Sequence, residues 1–170
     1  MMSMDQDLMP VLIDSKYCDY LRTFDHRVAY NKDRKDLRPF IGILFEVSGK
    51  KYFAPLSSPK GKHLKMRNNL DFLRIKGGEY GAINFNNMIP LIEGVFQMID
   101  LNKTGLSPSE QRYQDLLINQ RNWLNARRDQ IRSKASNLYD SYKNNKLPKN
   151  IRDRCCDFIL LEGKSGQFNC

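Results

Sequence analysis

The stretch Phe40–Leu56, FIGILFEVSGKKYFAPL, decides how the rest of the chain is read. Phe40 to Val47 is an apolar run rich in β-favouring residues. Ser48-Gly49 is a turn signal, and Lys51 to Leu56 is a second β-rich run. Two such runs around a short Gly-containing turn predict a β-hairpin. Downstream, Ser57 to Asn69 is irregular and basic. Leu70 to Ile75 reads as another strand, Gly77-Gly78 turns the chain, and Tyr80 to Phe85 returns. Met88 to Ile92 is a further short strand, in which Pro90 predicts an edge or a bulge because it has no N–H for a ladder. Upstream, Pro10 to Ile13 reads as a first strand. Ser15 to Phe24 carries Tyr17, Tyr20, Leu21 and Phe24 at helical spacing, with Asp14 or Ser15 as the cap. Residues 25–38 read as a polar loop. The first hundred residues thus predict a small, curled, barrel-like antiparallel sheet with one early helix.

The pattern then changes. Ser107-Pro108-Ser109-Glu110 combines a cap residue, proline at the first helical position and Glu three residues after the cap. A helical pattern follows to about Tyr142. Leu117, Leu124, Ile131 and Leu138 recur every seven residues. Gln120, Arg127 and Lys134 occupy much of the second seam position, which favours one or two helices lying on the sheet over a coiled coil. Pro148 is expected to end the helical region, and 157–161 (DFILL) to add a last strand. The fold class is therefore α+β. One domain is expected over 1–170, with a sheet core at about 8–100 and 155–163 and a helical segment at about 107–154.

The 170 residues suffice for a real core, and the hydrophobic fraction of 41% and charged fraction of 28% suit a globular protein. The longest apolar run is far too short to span a bilayer. Residues 1–15 are acidic, unlike a signal peptide. A cytoplasmic protein with no membrane partner is expected. The four cysteines, Cys18, Cys155, Cys156 and Cys170, lack metal-ligand spacing and read as reduced thiols. Only His26 and His63 are histidines, so neither a zinc site nor a compact histidine pair is expected. The net charge is +9, and it is uneven: residues 16–76 hold 15 Lys/Arg against 6 Asp/Glu, and residues 108–154 hold 11 against 5. Two basic regions favour a polyanionic partner, of which nucleic acid is the commonest.

The segment Ser57-Ser58-Pro59-Lys60-Gly61-Lys62-His63 leaves a strand with two hydroxyls, a rigid proline and three potential cations. Hydroxyls can hold phosphate oxygens, and a lysine can neutralise charge that builds on phosphate in a transition state. As a motif it is short, and a basic surface loop would look the same. No carboxylate cluster suits two-metal catalysis, and no phosphate-binding glycine loop or nucleophile elbow is present. A nuclease of this composition would use a metal-free route without a cofactor. RNA permits one, because its own 2′-hydroxyl can attack the adjacent phosphate. Tyr17, Tyr20, Phe24, Tyr30 and Phe40 lie near basic residues and could stack on unpaired bases or serve the core.

Four ordered blocks resemble the ToxN/AbiQ/CptN family of type III toxin–antitoxin endoribonucleases. They are Ile13–Asp25, Arg38–Phe45, Lys51–Lys60 and Gly81–Glu93, covering about 11–93; the helical tail and the final DFILLE fit more loosely. The resemblance implies a Kid/MazF-like curled sheet elaborated with helices. It implies metal-independent cleavage of RNA to 2′,3′-cyclic phosphate and 5′-hydroxyl ends, and inhibition by a small repeated pseudoknot RNA. The toxin would cut that RNA's precursor and remain bound in a closed, ring-like assembly, the free toxin being a monomer or not. Cellular and phage RNAs would be substrates, and abortive phage infection the outcome in some systems.

The resemblance also assigns residues. Ser58 stands at the family's essential serine and Lys60 at its essential lysine. Ser57 stands where some relatives have threonine, and Tyr17 matches a tyrosine of the active site. Arg38 aligns with a basic position before the first hairpin strand. Tyr20, Tyr30, Lys62, His63 and Lys65 are the further RNA-binding candidates. Two other readings remain open: a non-catalytic RNA-binding module, indifferent to Ser58, and a toxin of the same fold neutralised by a protein antitoxin. Short tandem repeats upstream in the DNA would favour an RNA antidote, and a small acidic reading frame a protein one.

Overall fold

The computed structural model describes residues 6–29 and 38–169. Its strands are β1 (Met9–Ile13), β2 (Phe40–Gly42), β3 (Glu46–Val47), β4 (Lys50–Ser57), β5 (Phe72–Arg74), β6 (Ala82–Asn84), β7 (Ile89–Leu91) and β8 (Phe96–Met98). All pair antiparallel, in the order β5-β6-β4-β2-β1-β8, with β3 and β7 also paired to β4. The two ends of this path do not pair, so the described strands make an open sheet, and barrel closure is not among their pairings. The helices are α1 (Ser15–Arg22), α2 (Pro108–Asn125), α3 (Arg128–Lys143), α4 (Lys149–Arg154) and α5 (Phe158–Ser165). The α+β class with an antiparallel sheet, an early helix and a helical C-terminal part is as expected.

The hairpin forms where its turn chemistry places it. Val47 faces Lys50 across Ser48-Gly49, both of which have positive φ, at 50° and 79°. That is the two-residue turn whose twist matches the flanking strands. The run 40–47 is not one strand, however. Phe40 faces Pro55 while Glu46 faces Lys51, so six residue steps on one side match four on the other. The surplus bulges between β2 and β3 and bends the sheet. β4 is thereby the hub, paired with β2, β3, β6 and β7. Pro90 sits on β7, opposite Tyr52, and β7 pairs with β4 alone among the described strands, as an edge proline should.

Two expectations change in the C-terminal third, and the expected one or two helices resolve to two. The helical pattern divides at Ala126–Arg127 into α2 and α3. Leu117, Leu124, Ile131 and Leu138 are all buried, so the apolar seam crosses the break. Pro148 does not end the helical region; it caps α4, where its missing N–H costs nothing. Residues 157–161 are not a strand, and the sheet does not continue into 155–163. They open α5, whose N-cap Asp157 accepts from the Leu160 N–H at 3.1 Å. Phe158, Leu161 and Ser165 are buried while Ile159 and Leu160 are exposed, which is helical and not alternating burial.

The core joins both layers. Tyr52 of β4 stacks on Phe45 at 4.5 Å and meets Tyr139 of α3 at 5.4 Å and Phe158 of α5 at 6.2 Å, in centroid distances. Two buried carboxylates fasten the tail. Asp71 accepts two bonds from the Arg154 guanidinium, at 2.9 and 3.0 Å, and Asp25 accepts from the Asp157 N–H at 2.6 Å. Cys18, Cys155 and Cys156 are buried free thiols, and burial pushes each up to about 12. No helix of the described residues is long and apolar enough to cross a membrane.

Candidate active site

β4 runs out of the sheet at Ser57, and three elements hold that residue in place. β6 faces it through the pair Ser57 and Ala82. The Ser57 hydroxyl accepts from Asn84 Nδ2 at 2.7 Å, and Arg38 Nη1 approaches it at 3.5 Å. The Ser57 carbonyl lies so close to Gly81 that a Cβ there would sit 1.9 Å from its oxygen, and Gly81 has φ +87°. Only glycine serves on both counts. From α2, Gln120 donates to the Tyr80 carbonyl at 2.8 Å and reaches the Ser57 carbonyl at 3.5 Å. Gln120 is 2% exposed, so this is a buried polar tie between the helical layer and the end of β4.

Beyond Ser57, Ser58, Pro59 and Lys60 are exposed. Ser58 makes no side-chain hydrogen bond to the described residues, so its hydroxyl is available to a ligand. A single 3-10 turn, Gly61–Leu64, follows. His63 closes it onto Lys60 by two bonds. The His63 N–H donates to the Lys60 carbonyl at 2.8 Å, and the Lys60 N–H donates to His63 Nδ1 at 3.1 Å. His63 is 2% exposed; burial and then the nearby Lys62 and Lys60 push its imidazole below the usual range. Lys62, Lys65 and Arg67 are exposed along the same segment. Arg74 ties it back by donating to the Leu64 carbonyl at 3.2 Å.

Arg38 enters from the residues before β2. Burial lowers the pKa of its guanidinium, yet arginine stays charged. Its Nε is buried and has no partner among the described residues. Among the described residues no group of three His, Cys, Asp or Glu lies together as a metal site would require. The hydroxyls of Ser57 and Ser58 and the exposed Lys60 and Lys62 follow one another on a loop tied at both ends, with Arg38 reaching Ser57 from the residues before β2. Groups of these kinds can hold phosphate oxygens and neutralise charge that builds on them.

The other sequence candidates lie elsewhere. Tyr17 has no exposed surface; its hydroxyl donates to the Pro90 carbonyl and its ring meets Phe168 at 5.2 Å. Pro90 pairs with Tyr52, five residues before Ser57, which is about 17 Å along a strand. The structure therefore does not bring Tyr17 to the loop, and burial raises the pKa of its phenol. Tyr20 is half-buried and donates to the Lys164 carbonyl at 2.8 Å, tying α1 to α5. Tyr30 lies outside the described residues. Sequence reasoning missed Asn84 and Gln120. The signal for Gln120 was its polar side chain on the inward seam of a helix; Asn84 stood inside the block Gly81–Glu93 without a role.

Known proteins can be set beside this geometry. The family model described as toxin ToxN of type III toxin–antitoxin systems matches residues 10–165. An endoribonuclease ToxN of Bacillus thuringiensis subsp. kurstaki is 31% identical over 161 residues, covering 92% of this chain and 81% of its own. One of Pectobacterium atrosepticum is 34% identical over 164 residues, covering 92% and 91%. Among solved structures, one concerning a processed non-coding RNA that regulates a bacterial antiviral system superposes with TM-score 0.79 at 32% identity, over 95% of this chain and 99% of the other. A second, concerning selective toxin inhibition by a non-coding RNA pseudoknot, has the same TM-score at 27% identity, over 95% and 98%. The fold, the loop after β4 and these matches agree, and the chain belongs to the ToxN family of toxins of type III toxin–antitoxin systems.

Proposed function

We propose that the protein is an endoribonuclease toxin that cuts RNA without a metal ion or cofactor, at the loop Ser57–Lys60. The observation that carries this reading is the fixed exit of β4. Asn84 and Arg38 hold the Ser57 hydroxyl, and the loop beyond it presents an unbonded Ser58 hydroxyl and an exposed Lys60. RNA bound across the loop supplies its own nucleophile. The 2′-hydroxyl gives its proton to water and bonds to the adjacent phosphorus, and the bond from phosphorus to the 5′-oxygen breaks as that oxygen takes up a proton. The products are a 2′,3′-cyclic phosphate and a 5′-hydroxyl. Lys60 stabilises the charge on the phosphorane-like transition state or donates to the departing 5′-oxygen. Ser58, with Ser57, holds the scissile phosphate and orients the 2′-hydroxyl. Lys62, Lys65 and Arg38 bind flanking phosphates. Tyr17 and Tyr20 serve the site from the scaffold, by seating α1.

The names of the relatives support inhibition by a processed pseudoknot RNA and an antiviral role, and the rest of the reading extends the family resemblance. The protein acts in the bacterial cytoplasm on cellular and phage RNA. It processes and is inhibited by a repeated pseudoknot RNA held in a closed assembly, and it takes part in defence against phage. The test is cleavage by the purified protein in excess EDTA. Wild type should give cyclic-phosphate ends, while Ser58→Ala and Lys60→Ala should lose cleavage by about a hundredfold or more, as removal of a transition-state contact does, with binding of the inhibitory RNA largely kept. Full activity in either folded variant would remove these roles. Tight RNA binding without any cleavage by wild type would favour a binding module instead.

A further inference from the structure

We infer that His63 is a positioning residue for Lys60: its ring Nδ1 holds the Lys60 backbone N–H and so sets the conformation of the cleavage loop. This rests on the reading that Lys60 acts at the scissile phosphate. His63 entered as a candidate RNA contact, but at 2% exposure it does not present its ring to a ligand.

The local chain explains why a histidine is there. Lys60 is extended, with φ −133° and ψ 154°, and immediately precedes the 3-10 turn, so it occupies the cap position. A cap residue is usually Ser, Thr, Asp or Asn, whose side chain accepts from the first turn. Lysine has no acceptor. In a capping box, the residue three further on reaches back to the cap N–H, and that residue is usually Glu or Gln. Here His63 does so, at 3.1 Å, while its own N–H donates to the Lys60 carbonyl at 2.8 Å. The Lys60 peptide is thereby held at both its N–H and its C=O by one buried residue. That residue is itself wedged. Its carbonyl packs on Gly78, where a Cβ would lie 2.3 Å away, and its ring faces Phe72 at 6.2 Å.

Histidine differs from Glu or Gln in one consequential way. Nδ1 accepts only while the ring is neutral, with its proton on Nε2; a protonated ring has a donor at both nitrogens. Protonation would set an N–H against the Lys60 N–H and release the loop. The charged groups nearest the ring are Lys60 and Lys62 of its own segment. β5 presents the Phe72 ring and carries Arg74, which donates to the Leu64 carbonyl, and the turn Ile75–Gly78 presents the Gly78 backbone. Burial, Lys62 and Lys60 oppose protonation, so the loop stays closed at neutral pH and opens in acid.

The experiment compares kcat and KM from pH 5 to 8, in EDTA, for wild type, His63→Leu and His63→Asn, with the fold followed by circular dichroism at each pH. His63→Leu fills the space but cannot accept. It should lose kcat about ten- to a hundredfold, as a misplaced catalytic group does, with KM little changed. In His63→Asn, Oδ1 sits where Nδ1 sat and does not titrate. It should restore most of that loss and lack the fall in kcat that wild type shows in acid, which lies below the ordinary imidazole range because burial, Lys62 and Lys60 all disfavour the protonated ring. An acid limb identical in wild type and His63→Asn, an inactive but folded His63→Asn, or a His63→Leu with wild-type kcat would each overturn the inference. Should His63→Leu fail to fold, the two pH profiles of wild type and His63→Asn decide alone. Lys60→Ala run alongside separates the two readings. Wild-type cleavage by Lys60→Ala would sink the role of Lys60 itself. A dead Lys60→Ala beside a fully active His63→Leu would sink only the role of His63.

Discussion

Tyr17 shows how one residue can keep its place in a motif while its side chain does scaffold work. It lies fully buried between α1 and the sheet, and its hydroxyl donates to the Pro90 carbonyl. Removing that hydroxyl leaves a buried carbonyl unpaired, which costs about 1–3 kcal/mol. Tyr17→Phe should therefore lower the melting temperature while leaving kcat of the folded protein close to wild type. A large loss of kcat at unchanged stability would return Tyr17 to the reacting groups. The adjacent hydroxyls and lysine at 57–60 stand out as candidates by residue type, but a basic surface loop would look the same, and it is the family resemblance that gives them roles. His63 was legible only as a nearby imidazole. Its partner is a backbone N–H, and backbone contacts leave no mark in a sequence. Asn84 and Gln120 were hidden for a related reason, since each meets the site from an element distant in the chain, 27 and 63 residues from Ser57.

At the scale of elements, α5 and the β2–β4 hairpin make opposite lessons. The hairpin was readable because Ser48-Gly49 supplies the two positive φ values the turn demands. DFILL offered only five residues, and a short apolar run fits a strand or a helix equally. The arbiter is its first residue, Asp157, which caps the helix that the four apolar residues after it open. Likewise β8 is three residues with an exposed Met98, too short and too polar in setting to announce a strand. The helical assignment of 158–165 is testable by stability alone. Leu161 is fully buried, and Leu161→Ala should cost about 2–5 kcal/mol in urea denaturation. Leu160 is 38% exposed, and Leu160→Ala should cost well under that, nearer about 0.5 kcal/mol. Asp157→Ala should cost about 1 kcal/mol through the lost cap. Strand-like alternation would bury Leu160 with Phe158 and expose Leu161, so a reversed order of the two leucine variants would overturn the helix.

Across the whole molecule, net charge and RNA-binding charge are different quantities. The C-terminal basic region looked like a second contact surface, yet many of its arginines are occupied by the fold. Arg132 is buried and donates to the Ile43 and Gln6 carbonyls at 3.1 and 2.6 Å. Arg154 holds Asp71, and Arg152 donates to the Tyr142 carbonyl at 2.8 Å with its guanidinium over that ring. Lys62 and Lys65, in contrast, are exposed just beyond the loop Ser57–Lys60. A phosphate contact by lysine releases a counterion, and for single-stranded nucleic acid each contact contributes about 0.7 to the slope of log Kobs against log salt. Lys62→Gln with Lys65→Gln should therefore make that slope shallower by about 1.4, measured with a non-cleavable 2′-deoxy substrate so that binding is separated from the reaction. Arg152→Gln should instead lower stability and leave the slope unchanged. An unaltered slope in the double lysine variant would move the RNA track off the 3-10 turn. A shallower slope in folded Arg152→Gln would give the helical face a share in binding that its internal hydrogen bonds argue against.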